Sequence, residues 1–166
     1  VGTKCGDALV LAMNDQLTVI DVDFQARYIP LPEEFYYSIE DISCKNTGDI
    51  WLAHFEGVSH YADGAWETYW IKDIVTENLE FDSVEGILVD ERGSIWAALS
   101  NHIVKYSDGS WMVFGEGQGF SEKYFLEDII ETSQGEIYAA ASMDLLHYEN
   151  NQWVAIPYPS FETIVG

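Results

Sequence analysis

The chain has 166 residues, within the range of one domain, and 48% of them are hydrophobic, which is enough for a substantial core. Its formal net charge is −22, from 29 acidic and 7 scattered basic residues. This charge argues against binding to nucleic acid or to an anionic lipid surface, which needs concentrated positive charge, and no apolar run reaches the ~18 residues of a membrane-spanning helix.

One pattern recurs along the chain and divides a single domain, residues 1–166, into similar units. The units cover residues 1–35, 36–79, 80–121 and 122–158, and residues 159–166 follow them. The first unit is the faintest. With Asp7 at the anchor position of the pattern, its apolar positions hold Leu9, Leu11, Ala12, Leu17 and Ile20.

Three full copies follow, anchored on Gly48, Gly93 and Gly135 at spacings of 45 and 42 residues. An aromatic residue stands three positions after each glycine, a tyrosine thirteen after and a tryptophan eighteen after. Aromatic side chains can stack on sugars or bases, but recurrence at identical positions favours a structural role in packing between the units. The predicted structural core is Trp51, Trp96, Tyr138, Tyr61, Tyr106, Tyr148, Trp66, Trp111 and Trp153.

Each copy is predicted to form four short strands separated by turns. In the second full copy the strands cover residues 85–90, 95–99, 103–106 and 111–114. Gly93 supplies a positive φ in the first turn, and Asp108-Gly109 favours a hairpin turn of a primed type. Four antiparallel strands in ~40–45 residues, repeated, predict an all-β fold: a β-propeller or propeller segment of about four blades.

Residues 161–165 match the first strand of a blade, as found at 39–43 and 126–130, with no further strands after them. The first unit also has a poor first strand. These two features fit a four-bladed ring that closes by completing the first blade. They fit equally well a segment of a longer propeller, or an arc that associates with other chains.

The strings GSIWAA at 93–98 and IVKYSDGSW at 103–111 resemble the two-component-regulator propeller repeat. The resemblance extends over nearly the whole chain and is specific for blade architecture. It implies a bacterial protein of the kind found in sensor ectodomains, located outside the cell, at its surface or in the periplasm. Full propellers of this family often have seven blades, so four is a departure.

The connections between units differ in length and content, and in a propeller such connections gather on one face. They carry aromatic residues among acids, and exposed aromatics on a rigid scaffold are typical binding residues. The predicted site for a protein, small-molecule or glycan ligand is Tyr36, Tyr37, Trp70, Asp73, Glu77, Phe81, Tyr124 and Phe125.

No catalytic residue is predicted, because the sequence has no nucleophile motif, and its four histidines have no metal-ligand spacing. No cofactor or transition metal is expected. The abundant carboxylates leave bound Ca²⁺ as one hypothesis. A glutamate recurs at Glu40, Glu85, Glu127 and Glu162, where it either lines the axis or marks the start of the innermost strand.

Cys5 and Cys44 lie near the first strands of adjacent copies. Innermost strands of neighbouring blades come close together, so a disulfide is feasible, and two small buried residues are the alternative.

The sequence favours a non-catalytic binding or assembly module that uses the face formed by the inter-blade loops. One alternative is a propeller-type lyase or glycoside-acting enzyme with acidic residues near the axis. Another is a structural subunit that self-associates through blade edges.

Overall fold

Every copy of the repeat forms one antiparallel sheet of four strands in consecutive order, which confirms the predicted propeller blades. The structure is a computed structural model, and it describes residues 1–13, 15–35, 39–76, 83–115, 118–119, 125–142 and 144–157. The 161–165 segment lies outside these residues.

Blade 1 consists of β1 (Gly2–Cys5), β2 (Ala8–Met13), β3 (Gln16–Ile20) and β4 (Ala26–Pro30). Blade 2 consists of β5 (Ile39–Asn46), β6 (Asp49–His54), β7 (Gly57–Ala62) and β8 (Ala65–Trp70). A 3₁₀ helix (Glu33–Phe35) precedes blade 2, and a single helical turn, α1 (Ile71–Ile74), follows it.

Blade 3 consists of β9 (Val84–Val89), β10 (Ile95–Leu99), β11 (Ile103–Ser107) and β12 (Ser110–Phe114). Blade 4 consists of β13 (Leu126–Glu131), β14 (Ile137–Ala141), β15 (Asp144–Glu149) and β16 (Gln152–Pro157). The first strands of successive blades lie side by side, β1 against β5, β5 against β9 and β9 against β13. They are therefore the innermost strands of the propeller.

The outer hairpins have the turn chemistry that the sequence predicts. Asp108 and Gly109 between β11 and β12 have φ angles of 52° and 77°, so both central residues lie in the left-handed region that a type I′ turn requires. Asn150 and Asn151 in blade 4 have φ angles of 49° and 62°. The primed turns match the twist of the two strands that they join.

Successive blades pack face to face. Adjacent residues of a strand point to opposite sides of its sheet, so each strand contributes side chains to the interfaces on both sides of its blade. We call the side that points to the next blade the forward face and the other side the backward face. In blade 3, Trp96 lies on the forward face against blade 4, whereas Ile95 and Ala97 lie on the backward face against blade 2. The three core clusters join blades 1 and 2, 2 and 3, and 3 and 4, and among the described residues none joins blade 4 to blade 1.

The predicted aromatic core divides between the two faces. The aromatics of the second strand project forward and those of the third and fourth strands project backward, so Trp96 of blade 3 meets Tyr148 and Trp153 of blade 4. The Trp96 ring lies edge-on to both, at centroid distances of 4.7 and 5.8 Å. Tyr138 has the forward position in blade 4, where the described residues include no next blade.

The recurring glutamates stand at irregularities near the start of the innermost strands. Asp41 pairs with Ala53 and Ile39 with His54, so Glu40 between them has no partner across the sheet. Glu85 and Glu127 occupy the same position in the next two blades. Such bulges increase local twist, and the structure places these glutamates at the strand entry.

The free edges of the innermost strands are covered by side chains from the neighbouring blade. The backbone N–H of Ile87 donates to Asp41 Oδ2 at 2.9 Å, and that of Val89 donates to Ser43 Oγ at 2.8 Å. In the turn that follows β9, the exposed backbone N–H of Glu91 also donates to the next blade, to Glu131 Oε2 at 2.8 Å. Because an unpaired buried N–H is costly, these bonds fix how one blade sits on the next.

Cys5 and Cys44 form a disulfide that joins the innermost strands of blades 1 and 2, with their Cα atoms 5.5 Å apart. The separation is within the normal range for disulfides. On the face of blade 1 that meets blade 2, Val10 stands at the register position that Trp51 holds in blade 2. The covalent bond therefore reinforces the interface of the blade that lacks the repeat tryptophan.

We predict that Trp96→Ala lowers the free energy of unfolding by about 3–5 kcal/mol, because it opens a cavity between blades 3 and 4. Denaturant titration measures the change. Met112→Ala is the matched control, since Met112 is exposed on β12 of the same blade, and its loss should cost less than about 0.5 kcal/mol. Equal effects of the two substitutions would contradict the packing role of Trp96.

We predict that the Cys5→Ser, Cys44→Ser double variant is less stable than the oxidised protein by about 3–4 kcal/mol. The disulfide closes a loop with a sequence separation of 39 residues, and opening it frees the unfolded chain. Thermal unfolding with and without reductant is the measurement. Reductant should destabilise the wild-type protein and leave the double variant unchanged; an effect on both would assign the loss to another cause.

Candidate functional site

The antiparallel order of the strands places the turns of every blade at two opposite ends of the sheets. The turns after the first and third strands lie at one end, which we call the hairpin side. The turn after the second strand and the connection to the next blade lie at the other end, the connection side. The site predicted from the sequence belongs to the connection side.

Three predicted site residues are described on the connection side: Trp70 is partly buried, and Asp73 and Phe125 are exposed. Tyr36, Tyr37, Glu77, Phe81 and Tyr124 lie outside the described residues. The structure therefore shows Trp70 and Asp73 next to each other around α1 and places Phe125 at the start of blade 4. A shared site of all eight residues stays a prediction.

The Trp70 ring covers a buried histidine. Its centroid lies 5.8 Å from that of His54, which also stacks on Phe35 at 4.7 Å. His54 Nε2 lies 3.1 Å from Ser59 Oγ, which in turn lies 3.0 Å from Thr68 Oγ1. Burial lowers the pKa of His54 to about 4, so its imidazole is neutral near pH 7.

The hairpin side contains a cavity of about 420 Å³ between blades 3 and 4, which we call the hairpin cleft. It is bordered by the turn that follows β9, the turn that follows β13 and the outer hairpin of blade 4. Its aromatic wall is formed by Trp96 and Tyr148. Its polar lining consists of Asp90, Arg92, Lys105, Glu131, Glu136, His147, Glu149, Asn150 and Asn151.

The Trp96 wall of the hairpin cleft is held rigidly. Asp90, which is buried, accepts the indole N–H of Trp96 at 2.9 Å and the backbone N–H of Ser94 at 2.7 Å. Lys105 Nζ lies over the Trp96 ring, 4.5 Å from its centroid, and 5.7 Å from that of Tyr148. This cation–π contact fixes a positive charge beside the aromatic wall.

The rest of the hairpin cleft contains both acceptors and donors. Glu131 uses Oε2 to bind the backbone N–H of Glu91, and Glu136 accepts the hydroxyl of Tyr138 at 3.3 Å. The Tyr148 hydroxyl donates to Asn151 Oδ1 at 3.2 Å. Burial raises the pKa of Tyr148, so this hydroxyl keeps its proton and remains a donor at neutral pH.

The Trp96–Lys105 pair belongs to a repeated arrangement. Directly opposite positions of the second and third strands carry an aromatic ring and a basic side chain in three blades. In blade 2, Trp51 stacks on His60 at 4.1 Å. In blade 4, Tyr138 stacks on His147 at 4.5 Å. The histidines thus serve as partners of rings on the forward faces.

Near the innermost strands, the Asp41 carboxyl is partly buried between blades 2 and 3. Burial raises its pKa, and the negative charge of Asp128 acts in the same direction, while the hydrogen bonds from Ile87 and Ile42 oppose the shift. Within the described ranges, no group of three or more histidine, cysteine, aspartate or glutamate side chains could hold a metal ion. Binding of Ca²⁺ stays a prediction from the sequence.

The hairpin cleft is not among the sites that the sequence predicts. Its lining comes from turns of two different blades, so Arg92 and Glu136 are more than forty positions apart. The charged residues of these turns were the available signal, but they are not part of the repeat pattern. A prediction that covered the turns of the hairpin side as well as the connections would have included these residues.

No family model matches the chain, and no curated protein matches it in sequence. Solved structures match its fold. One is an extracellular domain of a hybrid two-component system from B. thetaiotaomicron, at 16% identity and TM-score 0.73, covering 95% of this chain and 23% of that one. Another such domain from the same organism matches at 16% identity and TM-score 0.68, covering 96% of this chain and 22% of that one.

A virginiamycin B lyase from Staphylococcus aureus matches at 12% identity and TM-score 0.73, covering 96% of this chain and 55% of that one. The chain thus spans about a quarter of these two extracellular domains and about half of the lyase. These matches show the propeller fold. In the part of the chain that the structure describes, no helix has the length and apolar character to cross a membrane.

We predict that burial of neutral His54 makes the protein less stable at acidic pH. The unfolded chain takes up a proton near pH 6.5, whereas the folded protein resists it until about pH 4. The contribution of His54 to the free energy of unfolding is complete above pH 6.5 and falls by on the order of 3 kcal/mol as the pH drops to about 4.

Denaturant titrations between neutral and acidic pH test this prediction with His54→Gln. The variant should lose less stability on acidification than the wild-type protein. His147→Gln is the control, because it also removes one histidine, but from a partly exposed position. Parallel pH profiles for the wild-type protein and His54→Gln would show that the buried imidazole is not responsible.

Proposed function

We propose that this chain is a non-catalytic binding module and that the hairpin cleft holds a neutral, hydroxyl-rich ligand of the oligosaccharide class. The observation that supports this is the combination of donors and acceptors beside a rigid aromatic wall. Arg92 and Lys105 donate, Glu136 and Glu149 accept, and Asn150 can do both. A hydroxyl both donates and accepts, so a ligand with many hydroxyls matches such a lining better than an ion of either sign.

The aromatic wall supports the same ligand class. Trp96 and Tyr148 lie edge-to-face at 4.7 Å and are held by Asp90 and Asn151. Sugar rings present apolar C–H faces, which can pack on the partly exposed ring of Tyr148, while the buried Trp96 packs against that ring and holds it in place. The wall is rigid before ligand arrives, so little conformational entropy is lost on binding.

We also propose that the protein is located outside the cytoplasm and belongs to the two-component-regulator propeller family. The disulfide between Cys5 and Cys44 supports the location, since disulfides persist in oxidising compartments. The strings at 93–98 and 103–111 support the family, as does the fold shared with extracellular domains of two-component systems.

The connection side remains the competing surface for the same function, because the sequence places its variable aromatic loops there. A test must separate the two sides. The chain offers matched pairs of exposed charges: Arg92 and Glu136 at the hairpin cleft, and Lys72 and Asp73 on the connection side. Substitution of both residues of a pair by alanine removes one cation and one carboxylate, so the net charge of the protein does not change.

We predict that a panel of neutral oligosaccharides at about 1 mM, a concentration suited to weak ligands, contains members that change the tryptophan fluorescence. Calorimetry on those members should show Arg92→Ala, Glu136→Ala binding at least about tenfold more weakly than wild type, a loss of about 1.4 kcal/mol. Lys72→Ala, Asp73→Ala should bind like wild type.

The reverse pattern would place the ligand on the connection side, and no response to any saccharide would contradict the ligand class. Mass spectrometry of the saccharide after incubation should recover it intact. A cleaved product would instead support the enzyme alternative.

A further inference from the structure

The forward face of blade 4 repeats the residues by which the preceding blades bind their neighbours. In blade 3 the core positions of this face are Trp96, Ala98, Ile103 and Phe114, all buried against blade 4. In blade 4 the same register positions hold Tyr138, Ala140, Leu145 and Ile156. Ile156 is 41% exposed, whereas Phe114 at its position in blade 3 is 2% exposed.

The backward face of blade 1 is the complementary half of such an interface. Leu9 stands at the position that Ile50, Ile95 and Ile137 hold in blades 2, 3 and 4. Those three isoleucines are 0%, 3% and 6% exposed, whereas Leu9 is 43% exposed. Its neighbours on this face include Leu11, Ile20, Met13 and Tyr28, of which the last two are also exposed.

Carboxylates are kept away from the middle of both end faces. The chain has 29 acidic residues among 166, yet the central row of the blade 4 face runs Ile130, Tyr138, His147 and Val154. On the backward face of blade 1, Lys4 lies opposite Leu9, and Leu11 lies opposite Thr18. Among so many carboxylates, two apolar faces indicate surfaces that are covered.

The innermost strand of blade 4 also has the hydrogen-bond acceptor that joins one blade to the next. In blade 2, Asp41 Oδ1 accepts the backbone N–H of Ile42, the next residue. Asp41 Oδ2 accepts the backbone N–H of Ile87 in blade 3. Asp128 has the same position in blade 4. Its Oδ1 accepts Ile129 N–H at 2.7 Å, and no other described residue donates a hydrogen bond to its Oδ2.

Gly2 of blade 1 holds the register position of Ile87. Gly2 pairs with Leu11, and Ile87 pairs with Ala97, which is the equivalent residue of β10. If blade 1 followed blade 4 as blade 3 follows blade 2, the Gly2 N–H would point to Asp128. The two ends of the chain therefore match in polar as well as apolar positions.

We propose that a second copy of this chain docks head to tail, with its blade 1 seated on the forward face of blade 4. Each chain carries both halves of the interface, so two copies can join twice and close a two-fold ring. Such a ring has eight blades, the upper end of the usual range for propellers. This inference does not depend on the proposed ligand.

Light scattering coupled to size exclusion tests the docking on the oxidised full chain at about 100 µM, because dimer formation depends on concentration. The wild-type protein is expected at the mass of two chains. Ile156→Glu, on blade 4, and Leu9→Glu, on blade 1, should each run as monomers. Phe55→Glu is the control, since Phe55 is 59% exposed in a turn away from both faces, and it should remain dimeric.

Mixing the two monomeric variants distinguishes head-to-tail docking from general loss of structure. The blade 4 face is intact in Leu9→Glu, and the blade 1 face is intact in Ile156→Glu. The mixture can therefore form one complete interface and should regain the mass of two chains. A monomeric wild-type protein, or variants that stay monomeric when mixed, would overturn the proposal.

Discussion

The structure depends on one constraint: a four-stranded sheet with two apolar faces is stable only when another sheet covers each face. Neither face of a blade is polar enough to remain in water, so each blade needs a neighbour on both sides. Ala53 and Ala98 on the second strands leave room for the neighbouring sheet to come close, and Trp51 and Trp96 fill the remaining space. The site between blades 3 and 4 exists because this packing brings two sets of turns together.

The fold could be predicted from the sequence because packing between equivalent sheets requires the same residue at the same position in each unit. Trp96 and Tyr138, or Tyr106 and Tyr148, recur for that reason, and Asp108-Gly109 marks the hairpin by its backbone requirement. The periodicity could not show which face each ring occupies. Trp96 and Trp111 are in the same blade, yet they pack against opposite neighbours, since the direction of a side chain depends on the register of its strand.

The candidate site was less accessible to sequence reasoning, because it joins residues whose distance is set by the rotation from one blade to the next. Nothing in the sequence around Arg92 indicates that Glu136 borders the same cleft. The disulfide has the same origin: Cys5 and Cys44 are paired because β1 and β5 lie side by side. His54 shows a third kind of limit, since its partner Phe35 belongs to a connection that the repeat does not describe.

The disulfide has a consequence for where the protein opens. In a linear array of repeats, stability is the sum of each unit and its contacts, so thermal fraying starts at the ends. In a chain that is not docked to a second copy, blade 1 packs on blade 2 alone among the described residues and lacks the repeat tryptophan, yet Cys5 ties its innermost strand to blade 2. In the oxidised state blade 1 is therefore held at its inner edge, and fluctuations shift toward blade 4, which has no covalent bond to blade 3. Reduction would reverse that order, and the same chain would then fray from its first blade.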